Sequence, residues 1–358
     1  MAETETFPDW QLVTAPGDPA DARLEALVPA ALEDGQARLR IEQFALSANN
    51  VTYVLTARQF GYDRLFPVVQ PGQAVPVWGH GRVVESRSAL EVGEHYFGLW
   101  PAASELVVTP KRTRTGFRDD AAHRAALNPV YNGYQALAGA PGAVEARMAA
   151  IRPLFILSHV LAESLRDRFA GMPDVVVTSA SSRAATGTAW ELTGQARVIG
   201  LTSAGHLDFV RRAGVYADCF GYDDPAALDG MARAGRAVVV LDFAGRAALL
   251  GDLERRLGPA RCEVVRIGWT HADREEAGGG DAARGAVFFA PDEILRRVGR
   301  IGAVAFAEAL EARLGAFVAE TRALYRLDKH EAPGDLMRVW GDLVAGRSDP
   351  VRLVSFAG

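Results

Sequence analysis

Between Asp174 and Pro291 one local pattern recurs six times: a short β-branched or apolar run, a small-residue or polar break, then a segment with helical spacing. The runs are "DVVVTSA" (174–180), "ARVIGLTS" (196–203), "ADCFGY" (217–222), "RAVVVLDFAG" (236–245), "RCEVVRIGW" (261–269) and "GAVFFAP" (285–291). A strand that is apolar on every residue is buried on both faces. Strands of that kind alternating with helices predict a parallel sheet with right-handed crossovers, doubly wound. Six of them match the strand set of a dinucleotide-binding domain.

The region before this pattern has a different character. "QARLRIEQFALS" (36–47), "AVPVWGHGRVVES" (74–86) and "EHYFGLWPAASELVVTP" (94–110) alternate apolar and polar residues and are broken by Gly and Pro. Short strands joined this way predict a β-barrel or rolled sheet. A length of 358 residues suggests two domains, and 49% hydrophobic with 23% charged residues suggests packed globular ones. A net charge of −5 gives no reason to invoke nucleic acid or an anionic membrane. No run of about 18 apolar residues suggests a membrane span, and "MAETETFPDW" lacks the basic and apolar regions of a signal peptide. Two cysteines, Cys219 and Cys262, exclude a disulfide framework and point to a reducing, cytoplasmic compartment. "KRTRTGFR" (111–118) is expected to be a solvated loop.

The stretch "VVVTSASSRAATGTAWEL" (175–192) carries the first strand into its helix. A dinucleotide turn needs close approach of backbone to pyrophosphate, which glycine allows. Here Ser179, Ser182 and Ala185 hold the glycine places, and Thr178 and Ser181 add hydroxyls. All are small, and a helix N-terminus supplies free N–H groups and the positive end of a dipole. Arg183 sits in the first helical turn, where its charge opposes that dipole unless an anion is near. At the end of the second strand Thr202 and Ser203 stand where an NAD enzyme carries an acid for the ribose 2′-hydroxyl. No carboxylate repels a 2′-phosphate there, and Ser203 and His206 offer it hydrogen bonds, so NADP(H) is favoured. A plain serine N-cap with a surface histidine is the alternative.

Several phrases coincide with these features: "SANNVTYVLT" (47–56), "PVWGHGRVVES" (76–86), "GEHYFGLWPAASELVVTP" (93–110), "HRAALNPVYNGY" (123–134), "TSASSRAATG" (178–187), "VIGLTSAGHLDFVRRAGVYADCFGYDD" (198–224) and "VFFAPDEI" (287–294). Together they resemble a bacterial domain-of-unknown-function family within the zinc-independent medium-chain dehydrogenase/reductase superfamily, alongside quinone oxidoreductases and enoyl reductases. The resemblance implies a GroES-like β-barrel domain over residues 1–150, completed by 327–358, and a Rossmann NADP-binding domain over 151–326. It also implies NADP(H) as cofactor, a small-molecule substrate and a homodimer.

Zinc chemistry lacks its ligands in the first region. Gly79–His80 echoes a zinc histidine, but neither cysteine lies there. Without a metal, hydride transfer needs orientation and a polar group for the developing oxyanion. "NNVTY" resembles the superfamily segment beside the nicotinamide, which makes Asn49, Asn50 and Tyr53 candidates. Tyr131 joins them, with Tyr134 expected on the same helix face. Gly268 and Trp269, then Phe288 and Phe289, fall at the ends of the fifth and sixth strands, where the superfamily contacts the nicotinamide. Ser158 and His159 fall in a segment that often borders it. The function implied is hydride transfer to an activated C=C or C=O of an enone, quinone, aldehyde or acyl thioester. A non-catalytic dinucleotide binder and a non-redox acyl- or lipid-handling protein stay open as alternatives.

Overall fold

The computed structural model describes residues 9–68, 71–224, 237–258, 262–267, 286–347, 349 and 352–357. The chain forms two compact units, one built from Met1–Pro153 with Arg326–Gly358 and the other from Leu154–Tyr325.

The first unit is a β-structure. Its long strands Ala37–Leu46 and Pro76–Ser86 pair antiparallel, and Pro76–Ser86 pairs in turn with His95–Pro101. Alternation places Leu39, Ile41, Phe44, Trp100, Phe117 and Tyr134 in one core. Gly79 is required by the close approach of strands. A Cβ there would lie 2.1 Å from the Gln43 carbonyl oxygen. The last strand, Arg352–Ala357, pairs antiparallel with Ala37–Leu46 and parallel with Arg326–Glu331, so the chain returns to this unit after leaving it. "KRTRTGFR" is a hairpin of Pro110–Thr113 and Gly116–Asp119, not a loop. Arg112 is held there by Glu94, at 2.7 Å.

The helix Ala143–Arg168 carries the chain into the second unit. By length and composition it is apolar enough to cross a bilayer, as the core helix of a globular unit also can be, and over half of its apolar window is buried inside the protein. The second unit is built on six parallel strands: β1 (Asp174–Val177), β2 (Val198–Thr202), β3 (Asp218–Gly221), β4 (Val238–Asp242), β5 (Cys262–Arg266) and β6 (Ala286–Val287). Their order across the sheet is 3-2-1-4-5-6, the doubly wound arrangement. Period-two alternation splits the core. Val175, Val177, Val239 and Leu241 pack on one face with Leu161 and Ala185, while Val176, Val238 and Val240 pack on the other with Leu253 and Leu257.

Candidate functional site

The turn after β1 keeps the backbone of a glycine turn while using other residues. Ser179 has φ +48°, the one positive φ outside glycine among the described residues. That left-handed state costs an L-residue about 1–2 kcal/mol. It is held by neighbours on both sides. The Ser179 N–H donates to the Tyr222 hydroxyl at 3.1 Å, and the Ser182 N–H donates back to the Ser179 carbonyl at 2.8 Å. Ser182 is the N-cap of the helix Arg183–Leu192, its hydroxyl accepting the Ala185 N–H at 3.2 Å.

The N–H groups of Arg183 and Ala184, at the head of this helix, have no acceptor within it and none elsewhere among the described residues. Arg183 Nη1 is buried without a hydrogen-bond partner. Burial pulls this guanidinium below the usual arginine value, and the nearby Tyr325 phenol only partly opposes that. The turn thus presents free donors and an uncompensated positive charge at the carboxyl end of β1.

Beneath it lies a fixed frame. Thr178 Oγ1 donates to Asp242 Oδ1 at 2.8 Å and accepts the N–H groups of Phe243 and Ala244 at 2.9 and 3.0 Å. Thr178 is fully buried and ties β1 to β4. Ala185 is also fully buried in the core, so its small size serves packing. The close helix contact is made one half-turn later, at Gly187, where a Cβ would lie 2.6 Å from Ser158 Oγ. Ser158 in turn donates to the Ala184 carbonyl at 2.8 Å, which fixes it as a packing residue. His159 pairs with Glu191 at 3.1 Å, near the other end of the same helix.

At the end of β2 three of the expected residues converge. His206 Nδ1 lies 3.2 Å from Ser181 Oγ and 3.3 Å from Ser203 Oγ, and the Thr202 hydroxyl donates to Ser181 Oγ at 3.4 Å. No carboxylate belongs to this cluster. Tyr222, with Arg246 over its ring at 5.3 Å, was not foreseen. It stands past the end of β3, and only its hydroxyl contact to the turn reveals it. Phe288 packs on the sheet core and donates its N–H to the Arg266 carbonyl at 2.8 Å. Phe289 precedes the helix Ala290–Ile301 as its N-cap and is half-buried. Gly268 and Trp269 lie outside the described residues.

The first unit gathers the remaining candidates unevenly. Tyr53 is buried, and its phenolic oxygen accepts the Trp78 indole N–H at 3.0 Å. Burial raises the Tyr53 phenol above its ordinary value, while Trp78 and the Asn49 amide, hydrogen-bonded to it, pull the other way. An indole N–H can only donate, so the phenol keeps its own proton for donation elsewhere. Tyr62, missed in the sequence, lies edge-on to Tyr53 at 4.8 Å and shares a 2.9 Å hydroxyl–hydroxyl hydrogen bond with Tyr131.

Asn50 has a different task. Its Oδ1 accepts the Ser47 N–H at 2.7 Å and its Nδ2 donates to the Pro76 carbonyl at 2.8 Å, so both ends of a buried amide serve the chain itself. Tyr131 and Tyr134 do not share a helix face. Tyr131 ends the 3-10 turn Pro129–Tyr131, while Tyr134 lies in the strand Gly133–Ala136, stacked on Phe117 at 4.5 Å in the core. His80 is buried with Nδ1 unpartnered, and burial pushes it down to about 4, with Glu145 opposing and Arg152 and His95 adding to that shift. Among the described residues no three His, Cys, Asp or Glu side chains converge as a metal-ligand set.

Solved structures share this fold at low identity. CurA from Vibrio vulnificus in complex with NADPH matches with a TM-score of 0.67 and 12% identity, over 97% of this chain and 98% of that one. Mycobacterial Rv1454c complexed with NADPH matches with a TM-score of 0.59 and 14% identity, over 98% and 100%. The CurK enoyl reductase matches with a TM-score of 0.56 and 12% identity, over 98% and 99%. No curated protein matches in sequence. The architecture is therefore the fold that these structures share, a GroES-like β-structured unit and a Rossmann unit. A profile described as "Protein of unknown function (DUF2855)" covers residues 44–349, and the chain belongs to that family.

Proposed function

We propose that this protein is an NADP(H)-dependent, zinc-independent reductase acting on the activated C=C or C=O of a small apolar substrate. The observation that carries this reading is the turn at Ser179–Arg183, with its glycine-like backbone, free helix-head N–H groups and unpaired Arg183 guanidinium. These residues fit a pyrophosphate, whose charge would meet N–H donors and a cation. Ser181, Ser203 and His206 fit a 2′-phosphate, and the absence of an acid from their cluster removes the group that would select against one.

Bound NADPH would supply the hydride, from C4 of its nicotinamide. The residues of this chain bind, orient and protonate. Ser179 and Ser182 set the turn, and Arg183 balances phosphate charge. Tyr53 is assigned the proton that balances hydride addition, because Trp78 already occupies an oxygen lone pair and leaves its O–H free to donate. The NADPH-bound relatives support the cofactor through fold alone. A homodimer is part of the same reading, checked by light scattering.

Fluorescence titration with NADPH and NADH tests the cofactor, and NADPH oxidation across enones, quinones, aldehydes and acyl thioesters tests the reaction. Absence of NADPH binding refutes both. Binding without turnover supports a second reading, a non-catalytic dinucleotide binder. One observation favours it: the Tyr222 hydroxyl already takes the Ser179 N–H, one of the donors that a phosphate would use.

A further inference from the structure

Four helical segments of the Leu154–Tyr325 unit line a half-open cavity of about 360 Å³. Glu191, near the carboxyl end of the helix Arg183–Leu192, lies in its wall. The phosphate turn caps the opposite end of that helix, about 12 Å away at 1.5 Å per residue. The cavity is therefore distinct from the cofactor site.

Its wall is unevenly charged. Arg166, Arg297 and Arg313 share two carboxylates of the wall, Glu163 and Glu191, and Arg297 also pairs with Asp167 behind it at 2.7 Å. Glu191 is buried and shared: it accepts from His159 Nδ1 at 3.1 Å, from Arg166 Nη2 at 3.2 Å, and from Arg313 Nε and Nη2 at 3.2 and 3.3 Å. Burial tends to raise it, but His159 and Arg313 hold this carboxyl below its usual value, so it is ionised at neutral pH. Glu163 is likewise shared between Arg166 and Arg297. Beyond the wall, Asp167 is shared by Arg296, Arg297 and Arg300, and Glu293 takes Arg296 as well.

One donor is spare. Arg313 lies over the Trp190 ring at 4.1 Å and its side chain is nearly half exposed. Only its Nε and Nη2 are used, so Nη1 has no acceptor among the described residues. The wall also carries apolar surface from Ile301, Phe306 and Ala309, with Ile301 42% exposed. A cavity of this size lies at the small end of ligand sites, with an apolar part and a few convergent polar groups.

We propose that this cavity binds a small organic monocarboxylate, its carboxylate on Arg313 and its apolar body against Ile301, Phe306 and Ala309. The probe is benzoate, titrated calorimetrically into the full-length protein at constant ionic strength, with benzyl alcohol and sulfate as comparisons. Saturable 1:1 benzoate binding is expected, with benzyl alcohol and sulfate at least tenfold weaker. Arg313→Gln should weaken benzoate at least tenfold and leave NADPH titration unchanged. Ile301→Glu, at an exposed position, should do the same by placing a carboxylate in the wall. Four results would each overturn the proposal. They are no saturable benzoate binding, equal affinity for the alcohol or sulfate, wild-type affinity in both variants, and competition between benzoate and NADPH.

Discussion

Arg183→Met should move stability and cofactor affinity in opposite directions. Methionine is close in length, adapts to irregular space and carries no charge. In the free protein Arg183 Nη1 is buried with no hydrogen-bond partner, and the helix dipole sets a second positive potential beside it. An unpaired buried charge costs several kcal/mol when fully desolvated. Arg183 retains some exposure, so the gain on removing it is discounted to about 1–2 kcal/mol. A hydrogen bond to a charged group contributes about 1.5–3 kcal/mol, so losing the phosphate contact should raise the Kd for NADPH roughly 10- to 150-fold. Urea unfolding of the free protein gives the first quantity and NADPH fluorescence titration the second. A variant that is less stable than wild type yet binds NADPH unchanged would refute the reasoning. Arg183 would then be a packing residue that the fold tolerates.

Ser182→Glu should abolish NADPH binding through repulsion, with the circular dichroism spectrum retained; unchanged affinity would mean that the turn is not the cradle. Gly187→Ala should destabilise by about 1–3 kcal/mol despite the better helix propensity of alanine, because the new Cβ meets Ser158 Oγ at 2.6 Å. Ser158→Ala in the same chain should recover part of that loss, as a denaturant double-mutant cycle would show. Tyr53→Phe should lower kcat on any substrate found while leaving NADPH affinity within about twofold, the two read by steady-state kinetics and titration. His80 is neutral in the fold down to about pH 4, so the unfolded chain binds the extra proton first. Its contribution is present in full above about pH 6.5 and is lost as pH falls toward 4, up to about 3 kcal/mol. His80→Gln should flatten that part of the stability profile.

The sheet was legible because β-branched runs such as "VVVL" at 238–241 are unambiguous, and six of them in alternation with helices leave few topologies. The turn was legible by register: the sequence places Ser179 where a glycine stands, and the structure gives it the glycine's φ. What stayed hidden depends on side chains that meet across the fold. Trp78 and Tyr62 contact Tyr53 from other segments, and nothing in "NNVTY" signals them. Asn50 misled because an asparagine at N3 of a helix looks the same whether its amide caps the helix or awaits a ligand. Tyr131 and Tyr134 misled because spacing of three implies one face only if the backbone is helical, and Gly133 opens a strand between them. The helical periodicity of "RPLFILSHVLAESLRDRFA" (152–170) marks the second part of the helix Ala143–Arg168, and only its earlier turns went unread.

The closing strand has a consequence for how the chain is made. Arg352–Ala357 lies between Ala37–Leu46 and Arg326–Glu331, with Phe356 stacked on Phe44 at 5.2 Å. The strand Ala37–Leu46 therefore waits for a strand synthesised much later. On the ribosome the six-stranded unit can condense once Tyr325 has emerged, while the N-terminal strands still hold an open edge where Phe44 awaits its partner. That interval exposes apolar surface to neighbours and chaperones, and its length is set by translation of the stretch from Tyr325 to Ala357. A nonsense codon before Arg352 would make the interval permanent, leaving a finished six-stranded unit tethered to a barrel that cannot close.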